Sequence, residues 1–543
     1  MRRLSRSNSR RRRLFLVFLA PVVVLLGTLA FGWFALAPYR HLDLLIVNGS
    51  VVDGTGVPGR ATNIGIRDGK IVELSSWKFY FSSADRIIDA GGHIVSPGFV
   101  DVHTHVEPNL PVNAAFRADN FLRQGVTTII TGNCGRSRTD VAAMFRTLEK
   151  NGSYINVATL VGHNSVRQQI MENASRAPTP PELNGMRAIV DRAMKEGALG
   201  FSTGLEYVPG RFADMSEVVA LAKVAAKYDG IYASHIRDEG PKGVEAIREA
   251  LEVGKQAQIA TEISHFKASG PRQWHTIINR LDLVDEARAE GQQVSLDVYP
   301  YTSSSTTTDI LLPDWAIKDN RAGLRQMISE PQLRQKLHAD ILALLIDEGW
   351  KDLSFVRLAA GNPEWIGKTL AQAPTVSQDV NQQIENLIDI SLRGGAQAVY
   401  DSMNEDDVEQ VITYTYCVFG SDSAVRDPSA EYHPHPRGCG TFPRVFAQYV
   451  REKKLLTIEE AIHKASGEAA ERFHLPNRGL IQPGYWADVV IFDSNTIADT
   501  ATYDLPFGEP SGIDYVIVNG RIAVDHGAMT SQKPAGVPVR SVK

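Results

Sequence analysis

Two histidines separated by one residue, His103 and His105, are the residues whose spacing most directly suggests chemistry. They lie in the stretch SPGFVDVHTHVEPN. Residues two apart on a strand point to the same side, so both imidazoles can approach one metal ion. A lone His-x-His can also be a pair of structural histidines. Their position at the C-terminal end of an apolar strand favours the metal site, because a barrel places its site there.

Further potential metal ligands end other apolar, strand-like stretches of the chain. His235 ends IYASH, His265 ends TEISH, and Asp422 follows CVFGS. Any one of these residues can have a purely structural role. Four histidines and one aspartate at the ends of successive strands together predict a metal-dependent catalytic centre.

Cys134 is a further potential ligand, in the stretch TTIITGNCGRS. The chain has three cysteines, an odd and small number that does not indicate a disulfide framework. A free cysteine is commonly only a small buried hydrophobic residue. In a glycine-flanked turn after a strand, however, its thiolate would be a soft, anionic zinc ligand. The sequence therefore predicts that Cys134 binds zinc.

Repeated alternation of apolar strands and amphipathic helices is the pattern that must position these side chains. It predicts an α/β fold with a parallel sheet closed into a (β/α)8 TIM barrel over residues 97–469. A helical segment at about 306–413 interrupts the alternation and is interpreted as an insertion that covers the site. Short strands with Asp-Gly turns recur at both ends. They predict one small β-sandwich domain built from residues 42–96 and 470–536.

Residues 1–40 predict an N-terminal membrane anchor. Seven arginines precede an uncharged apolar run at 14–37, which is long enough to cross a bilayer as a helix. Positive charge on the near side predicts a cytoplasmic N-terminus at the bacterial inner membrane and a periplasmic or extracellular catalytic domain. A cleaved export signal is the alternative, and we favour the uncleaved anchor. The net charge of −5, despite these arginines, argues against nucleic acid as a partner.

Seven stretches make the chain resemble the D-aminoacylase (N-acyl-D-amino-acid deacylase) family of the amidohydrolase superfamily, from about residue 42 to residue 536. They are GFVDVHTHVE, GNCG, GALGFSTGLEYVPG, SHIRDEG, EISHFKASG, DVYPYTSSST and HPRGCGTFPR. The resemblance implies a tightly held zinc ion on Cys134, His235 and His265. It also implies a weaker metal site on His103 and His105, with Cys134 as a bridge. Asp422 would be a metal-site carboxylate and the catalytic base.

The resemblance also implies a set of residues that binds the substrate carboxylate. A buried carboxylate needs cations and several hydrogen-bond donors, which agrees with the residue types. The implied residues are Tyr207, Lys267, Tyr299, Ser305 and Arg437, with His163 as a contact to the scissile carbonyl or an outer residue. Ser423 stands where the family has glycine, and the loop to Arg437 is longer. Preference for a substrate side chain therefore cannot be transferred.

The expected function is zinc-dependent hydrolysis of small-molecule N-acyl-D-amino acids to a D-amino acid and a carboxylate. Two alternatives stay open from the sequence. One is another amidohydrolase reaction, by a dipeptidase or a cyclic amidase. The other is a non-catalytic, membrane-anchored binding protein with this fold, although a binding protein has no need of a general base such as Asp422. The oligomeric state is not predicted.

Overall fold

Residues 41–76, 83–317, 324 and 330–541 are described by a computed structural model of the chain. No helix in these ranges combines the length and the apolar character needed to cross a membrane. The predicted membrane helix at 14–37 lies outside the described residues.

Strands in the described ranges alternate with helices along the chain. In chain order the strands are β1 (His41–Val51), β2 (Arg60–Arg67), β3 (Lys70–Ser75), β4 (Ser83–Asp89), β5 (Ile94–Pro97), β6 (Phe99–Asp101), β7 (Val126–Thr131), β8 (Asn156–Thr159), β9 (Val161–Gly162), β10 (Gly200–Gly204), β11 (Ile231–His235), β12 (Ala260–Ile263), β13 (Val294–Val298), β14 (Ser304–Thr307), β15 (Val356–Ala360), β16 (Gln397–Tyr400), β17 (Cys417–Phe419), β18 (Val489–Phe492), β19 (Ile513–Val518), β20 (Arg521–Asp525) and β21 (Ala528–Met529).

The α-helices of the described ranges are α1 (Asp119–Leu122), α2 (Val141–Asn151), α3 (His163–Met171), α4 (Pro180–Lys195), α5 (Met215–Ala226), α6 (Gly243–Ala257), α7 (Ile277–Ala289), α8 (Asp314–Ile317), α9 (Pro331–Glu348), α10 (Val380–Leu392), α11 (Glu405–Thr413), α12 (Arg437–Arg444), α13 (Ile458–Ala465) and α14 (Gly467–Arg472). A π-helix, Val445–Glu452, continues α12. Short 3-10 turns occur at Glu107–Asn109, Gly210–Phe212, Thr308–Leu311 and Pro363–Trp365.

The central strands are parallel and follow one another in space almost in chain order. One sheet has the order β6-β7-β8, and a second has the order β9-β10-β11-β12-β13-β17. Only Leu160 separates β8 from β9. A parallel bridge between Thr104 and Ser423 links the segments that follow β6 and β17. Most of these strands are buried along their whole length, as expected for parallel strands covered on both faces.

The two chain ends share one sheet. It contains nine strands, in the order β21-β20-β19-β18-β5-β1-β2-β3, with β4 paired to β1. Antiparallel pairing of β5 with β18 joins the N-terminal strands to the C-terminal ones. These strands have their own apolar cluster, which includes Leu44, Ile64 and Ile491. The N-terminal and C-terminal strands of the predicted β-sandwich domain therefore belong to one hydrogen-bonded strand network.

The segment between β13 and β17 differs from the predicted helical insertion. It contains a three-stranded antiparallel sheet of order β14-β16-β15 as well as the helices α9 and α10. Its apolar side chains form a separate cluster, in which Leu337 and Ile341 of α9 join Ile384 of α10. The segment therefore has its own small core.

Candidate metal centre

The predicted metal ligands lie at the C-terminal ends of the central strands and converge in the structure. They are His103 and His105 after β6, Cys134 after β7, His235 at the end of β11, His265 after β12 and Asp422 after β17. All of them except His103 line one cavity of about 1060 Å³. His103 is fully buried behind that lining.

Three of these residues have left-handed backbone geometry. The φ angles of Cys134, His265 and Asp422 are 50°, 35° and 49°. Such angles are uncommon for residues other than glycine and cost free energy, so the surrounding structure must hold them. Next to Cys134, a Cβ atom on Gly132 would collide with the backbone oxygen of Leu160. The strand ends are thus bent at the positions that aim side chains into the cavity.

Cys134, His235 and His265 form a compact set of metal donors. The Sγ atom of Cys134 lies 3.7 Å from Nδ1 of His235 and 3.5 Å from Nε2 of His265. Donors on a tetrahedral zinc ion, with Zn–S near 2.3 Å and Zn–N near 2.05 Å, are about 3.6 Å apart, so these distances fit. The two imidazole nitrogens, 2.8 Å apart, are about 0.5 Å closer than such an ion would hold them.

A second donor set shares Cys134 with the first. His103, His105, Cys134 and Asp422 each bring one donor atom within 4.8 Å of the others. Nε2 of His103 is 3.3 Å from the Cys134 sulfur, and Nε2 of His105 is 2.9 Å from Oδ1 of Asp422. The Cys134 sulfur therefore belongs to both donor sets.

Carboxylates contact the outward nitrogen of three of the four histidines. The pairs are His103 Nδ1 with Asp297 at 3.2 Å, His235 Nε2 with Glu206 at 2.9 Å, and His265 Nδ1 with Glu239 at 2.9 Å. Such partners fix the ring orientation and the tautomer of metal-binding histidines. None of these three carboxylates was predicted from the sequence, although each lies in one of the stretches that carry the family resemblance: GLEYVPG, SHIRDEG or DVYPY.

Electrostatics in the cluster favour ionised ligands. Burial raises the pKa of the Cys134 thiol, but His103 and the other nearby imidazoles lower it more, so it lies well below its usual value. Burial likewise raises the pKa of Asp422, and Arg437, which donates from Nη2 to Oδ2 at 2.9 Å, holds it well below its usual range. Asp422 is therefore a carboxylate at neutral pH and can accept a proton.

Arg437, Lys267 and Tyr299 form a cationic corner of the cavity. The guanidinium of Arg437 lies 4.6 Å and the Lys267 ammonium 5.7 Å from the centre of the Tyr299 ring. The Nε and Nη1 atoms of Arg437 and the Tyr299 hydroxyl are buried and have no hydrogen-bond partner within the described part of the chain. Buried donors without partners are costly, so these groups point to an anionic ligand.

The inserted segment supplies another wall of the same cavity. Ser305 on β14 accepts a hydrogen bond from Arg437 through its backbone oxygen at 3.4 Å. Thr306 donates to the Tyr207 hydroxyl at 3.2 Å, and the Tyr207 ring is 4.5 Å from the ring of His235. The side chain of Trp350 also lines the cavity. The segment thus contributes to the lining of the cavity.

His163 lies elsewhere. It is fully buried, and its Nε2 atom is 2.8 Å from Glu217, which also forms a buried ion pair with Arg167. His163 does not belong to the cavity lining. Two roles were predicted for His163. Its buried contact with Glu217 favours the outer structural role over contact with the scissile carbonyl.

Comparison with known proteins identifies relatives along almost the whole chain. A profile of the amidohydrolase family matches residues 86–295 and 415–524. An N-acyl-D-glutamate deacylase of Alcaligenes xylosoxydans xylosoxydans is 35% identical over 521 residues, which cover 92% of this chain and 96% of the relative.

Two solved structures resemble the fold. A crystal structure of N-acyl-D-glutamate deacylase from Bordetella bronchiseptica, complexed with zinc and a phosphonate mimic of the tetrahedral intermediate, has a TM-score of 0.75 and 33% identity, covering 92% of this chain and 98% of that one. A D-aminoacylase with a binuclear metal centre, studied for one-metal activation and second-metal attenuation, also has a TM-score of 0.75. It is 31% identical, covering 90% of this chain and 98% of that one.

Proposed function

This chain belongs to the D-aminoacylase (N-acyl-D-amino-acid deacylase) family of metal-dependent amidohydrolases, and we propose that it hydrolyses N-acyl-D-amino acids at its zinc centre. The products are a free D-amino acid and a carboxylate. The observation that carries this function is the placement of the Cys134, His235 and His265 donors in the same cavity as the unsatisfied cationic corner. The two features suit an amide bond next to a carboxylate.

Each part of the site has a distinct task. Cys134, His235 and His265 would hold the zinc ion, which would supply the Lewis acidity that lowers the pKa of a water molecule and polarises an amide carbonyl. Asp422, ionised at neutral pH, takes the proton from the attacking water and passes it to the leaving nitrogen. A second ion would be held by His103, His105, Cys134 and Asp422.

The carboxylate of the substrate would bind at the Arg437, Lys267 and Tyr299 corner. Arg437 contacts Asp422 only through Nη2, so its Nε and Nη1 atoms can still donate to a ligand. This corner favours linear substrates with a free carboxylate over cyclic amides. The same geometry ties the carboxylate-binding arginine directly to the catalytic base.

Replacing Arg437 with Ala should reduce kcat/KM for an N-acyl-D-amino acid about 10- to 150-fold, mainly through KM. The loss corresponds to about 1.5–3 kcal/mol for hydrogen bonds to a charged group. Because Arg437 also contacts Asp422, a second substrate is needed, an N-acyl amine without a carboxylate. The ratio of the two kcat/KM values isolates the carboxylate contact, and an unchanged ratio in the variant would contradict it. Arg437→Lys keeps the charge but loses the forked guanidinium, so its kcat/KM for the N-acyl-D-amino acid should fall between those of wild type and Arg437→Ala.

The reaction itself is tested by release of free amino acid from N-acetyl-D-methionine and N-acetyl-L-methionine. We expect chelator-sensitive turnover of the D form alone, restored by added zinc. N-acetyl-D-glutamate belongs in the same assay because a relative deacylates N-acyl-D-glutamate. A zinc-loaded protein that turns over none of these but opens a cyclic amide or cleaves a dipeptide would support the alternative amidohydrolase reactions.

We also infer that the central parallel strands form one closed barrel of eight strand positions, with β8 and β9 counted as one. The support is the near-sequential strand order and the Thr104–Ser423 bridge. Backbone hydrogen bonds of 2.8 Å from Asp422 to His103 and from His105 to Ser423 continue that bridge. A closed barrel would bring the first and the last ligand-bearing strand ends side by side.

For location, we propose that the catalytic part is held outside the bacterial cytoplasm at the inner membrane. The support is the arginine-rich tip followed by the uncharged run at 14–37. An uncleaved anchor would keep the enzyme at the membrane, and a cleaved signal would release it.

A further inference from the structure

Glu239 occupies an unusual position between a zinc ligand and the cationic corner. Its Oε1 atom is 2.9 Å from Nδ1 of His265 and 2.5 Å from the Lys267 ammonium. The ammonium itself lies 2.8 Å from the same Nδ1 atom. His265 and Lys267 are nearly inaccessible to solvent, with exposures of 2% and 7%. The three charged or polar groups therefore compete at very short range without water between them.

Only one arrangement of protons in this triad leaves His265 free to bind a metal. The Nε2 atom of His265 faces Cys134, so Nε2 must carry the lone pair, and the proton must sit on Nδ1. An ammonium has three donors and no acceptor, so Lys267 cannot accept a hydrogen bond from Nδ1–H. The Glu239 carboxylate can accept it. Its carboxylate is therefore the group that stabilises the metal-binding tautomer.

The opposite tautomer is the one that Lys267 would select by itself. If Nδ1 carries the lone pair, the ammonium donates to it, and the proton moves to Nε2, where it points toward the metal donors. The two tautomers of a neutral imidazole are close in free energy, so a neighbouring group can decide between them. Glu239 is the competing group, because its Oε1 atom lies 2.9 Å from the same Nδ1 atom and accepts a hydrogen bond from it.

We propose that Glu239 is a positioning residue that holds His265 in its zinc-binding tautomer against the competing ammonium of Lys267. The proposal rests on the zinc site of the proposed function. It explains how an ammonium needed for a substrate carboxylate can lie in contact with a zinc-binding imidazole. Glu239 pairs with the ammonium and accepts the imidazole proton through the same oxygen, so both neighbours keep their tasks.

The test is a double-mutant cycle on zinc affinity, measured by competition with a chromophoric chelator and independent of turnover. The variants are Glu239→Ala, Lys267→Met and the two combined. Glu239→Ala should weaken zinc binding about 10- to 100-fold, the range for partners of metal-bound histidines. Lys267→Met should bind zinc within about threefold of wild type. The combined variant should regain most of the loss, because the group that selects the wrong tautomer is gone.

Glu348→Ala is the matched control. It removes a carboxylate that lines the same cavity and accepts a hydrogen bond from the indole nitrogen of Trp350. This variant should keep wild-type zinc affinity. If Glu239→Ala does not fold, Glu239→Gln takes its place in the cycle, with a smaller loss because the amide oxygen still accepts. Wild-type affinity in Glu239→Ala, or a combined variant as weak as Glu239→Ala, would overturn the proposal. Absence of tight zinc in the wild type would instead contradict the proposed function.

Discussion

Asp422→Asn should lower kcat on an N-acyl-D-amino acid by about 10²- to 10⁴-fold, the range for a positioned general base. The amide keeps the shape of the side chain and can still accept a hydrogen bond from Arg437, but it cannot take a proton from water. Zinc on Cys134, His235 and His265 should stay at wild-type affinity, since Asp422 does not belong to that donor set. Steady-state kinetics and metal analysis on the same sample measure both effects.

The pH profile separates loss of the base from general damage. Arg437 and the nearby histidines keep the pKa of Asp422 well below its usual value, so the wild-type carboxylate is ionised at neutral pH and gains a proton only in acid. Any fall in wild-type kcat caused by this proton lies well below neutrality and should disappear in Asp422→Asn. Glu348→Gln changes another cavity carboxylate and should retain wild-type turnover. Near-full activity in Asp422→Asn would exclude this residue as the base.

The convergence of the potential metal donors was predictable because its signal is local. A strand that ends in histidine or aspartate puts that side chain at the C-terminal edge of a parallel sheet, and alternation of strands and helices says that those edges meet. The prediction that His103, His235 and His265 converge rests on this signal alone. The prediction that Cys134 binds zinc came from its chemistry and its turn between glycines, and the structure gives Cys134 a left-handed φ of 50°.

The contacts between strand ends were not predictable, because they depend on distances that a single sequence does not contain. Asp297 and His103 are in contact although they lie 194 positions apart in the chain. Arg437, the first residue of α12, contacts Asp422 across the irregular loop between β17 and α12. The inserted segment was predicted as helical because its amphipathic helices have a stronger periodic signal than its short edge strands. Strand β14 has half-exposed side chains, and the sequence SSTT lacks apolar alternation. Those strands still form part of the cavity wall.

Cys134→Ser should weaken zinc binding by more than about 100-fold, a larger loss than that caused by removing an outer partner of a ligand. Serine has nearly the shape of cysteine, but its hydroxyl stays protonated at neutral pH and is a poor ligand for zinc beside two imidazoles. Both donor sets share this sulfur, so the substitution removes the thiolate donor from each of them. Zinc stoichiometry and affinity, followed by activity at saturating zinc, measure the effect.

The other two cysteines provide the control, because all three thiols of the chain are buried and differ mainly in their surroundings. Burial raises the pKa of Cys439 to about 11, and burial also raises that of Cys417, so both remain neutral thiols. Cys439→Ser and Cys417→Ser should therefore keep wild-type zinc affinity. A similar loss in all three variants would indicate damage to the fold. Unchanged zinc affinity in Cys134→Ser would contradict the assignment of Cys134 as a zinc ligand. The reason is that His235 and His265, as two neutral imidazoles, cannot hold zinc as firmly as a set that includes a thiolate.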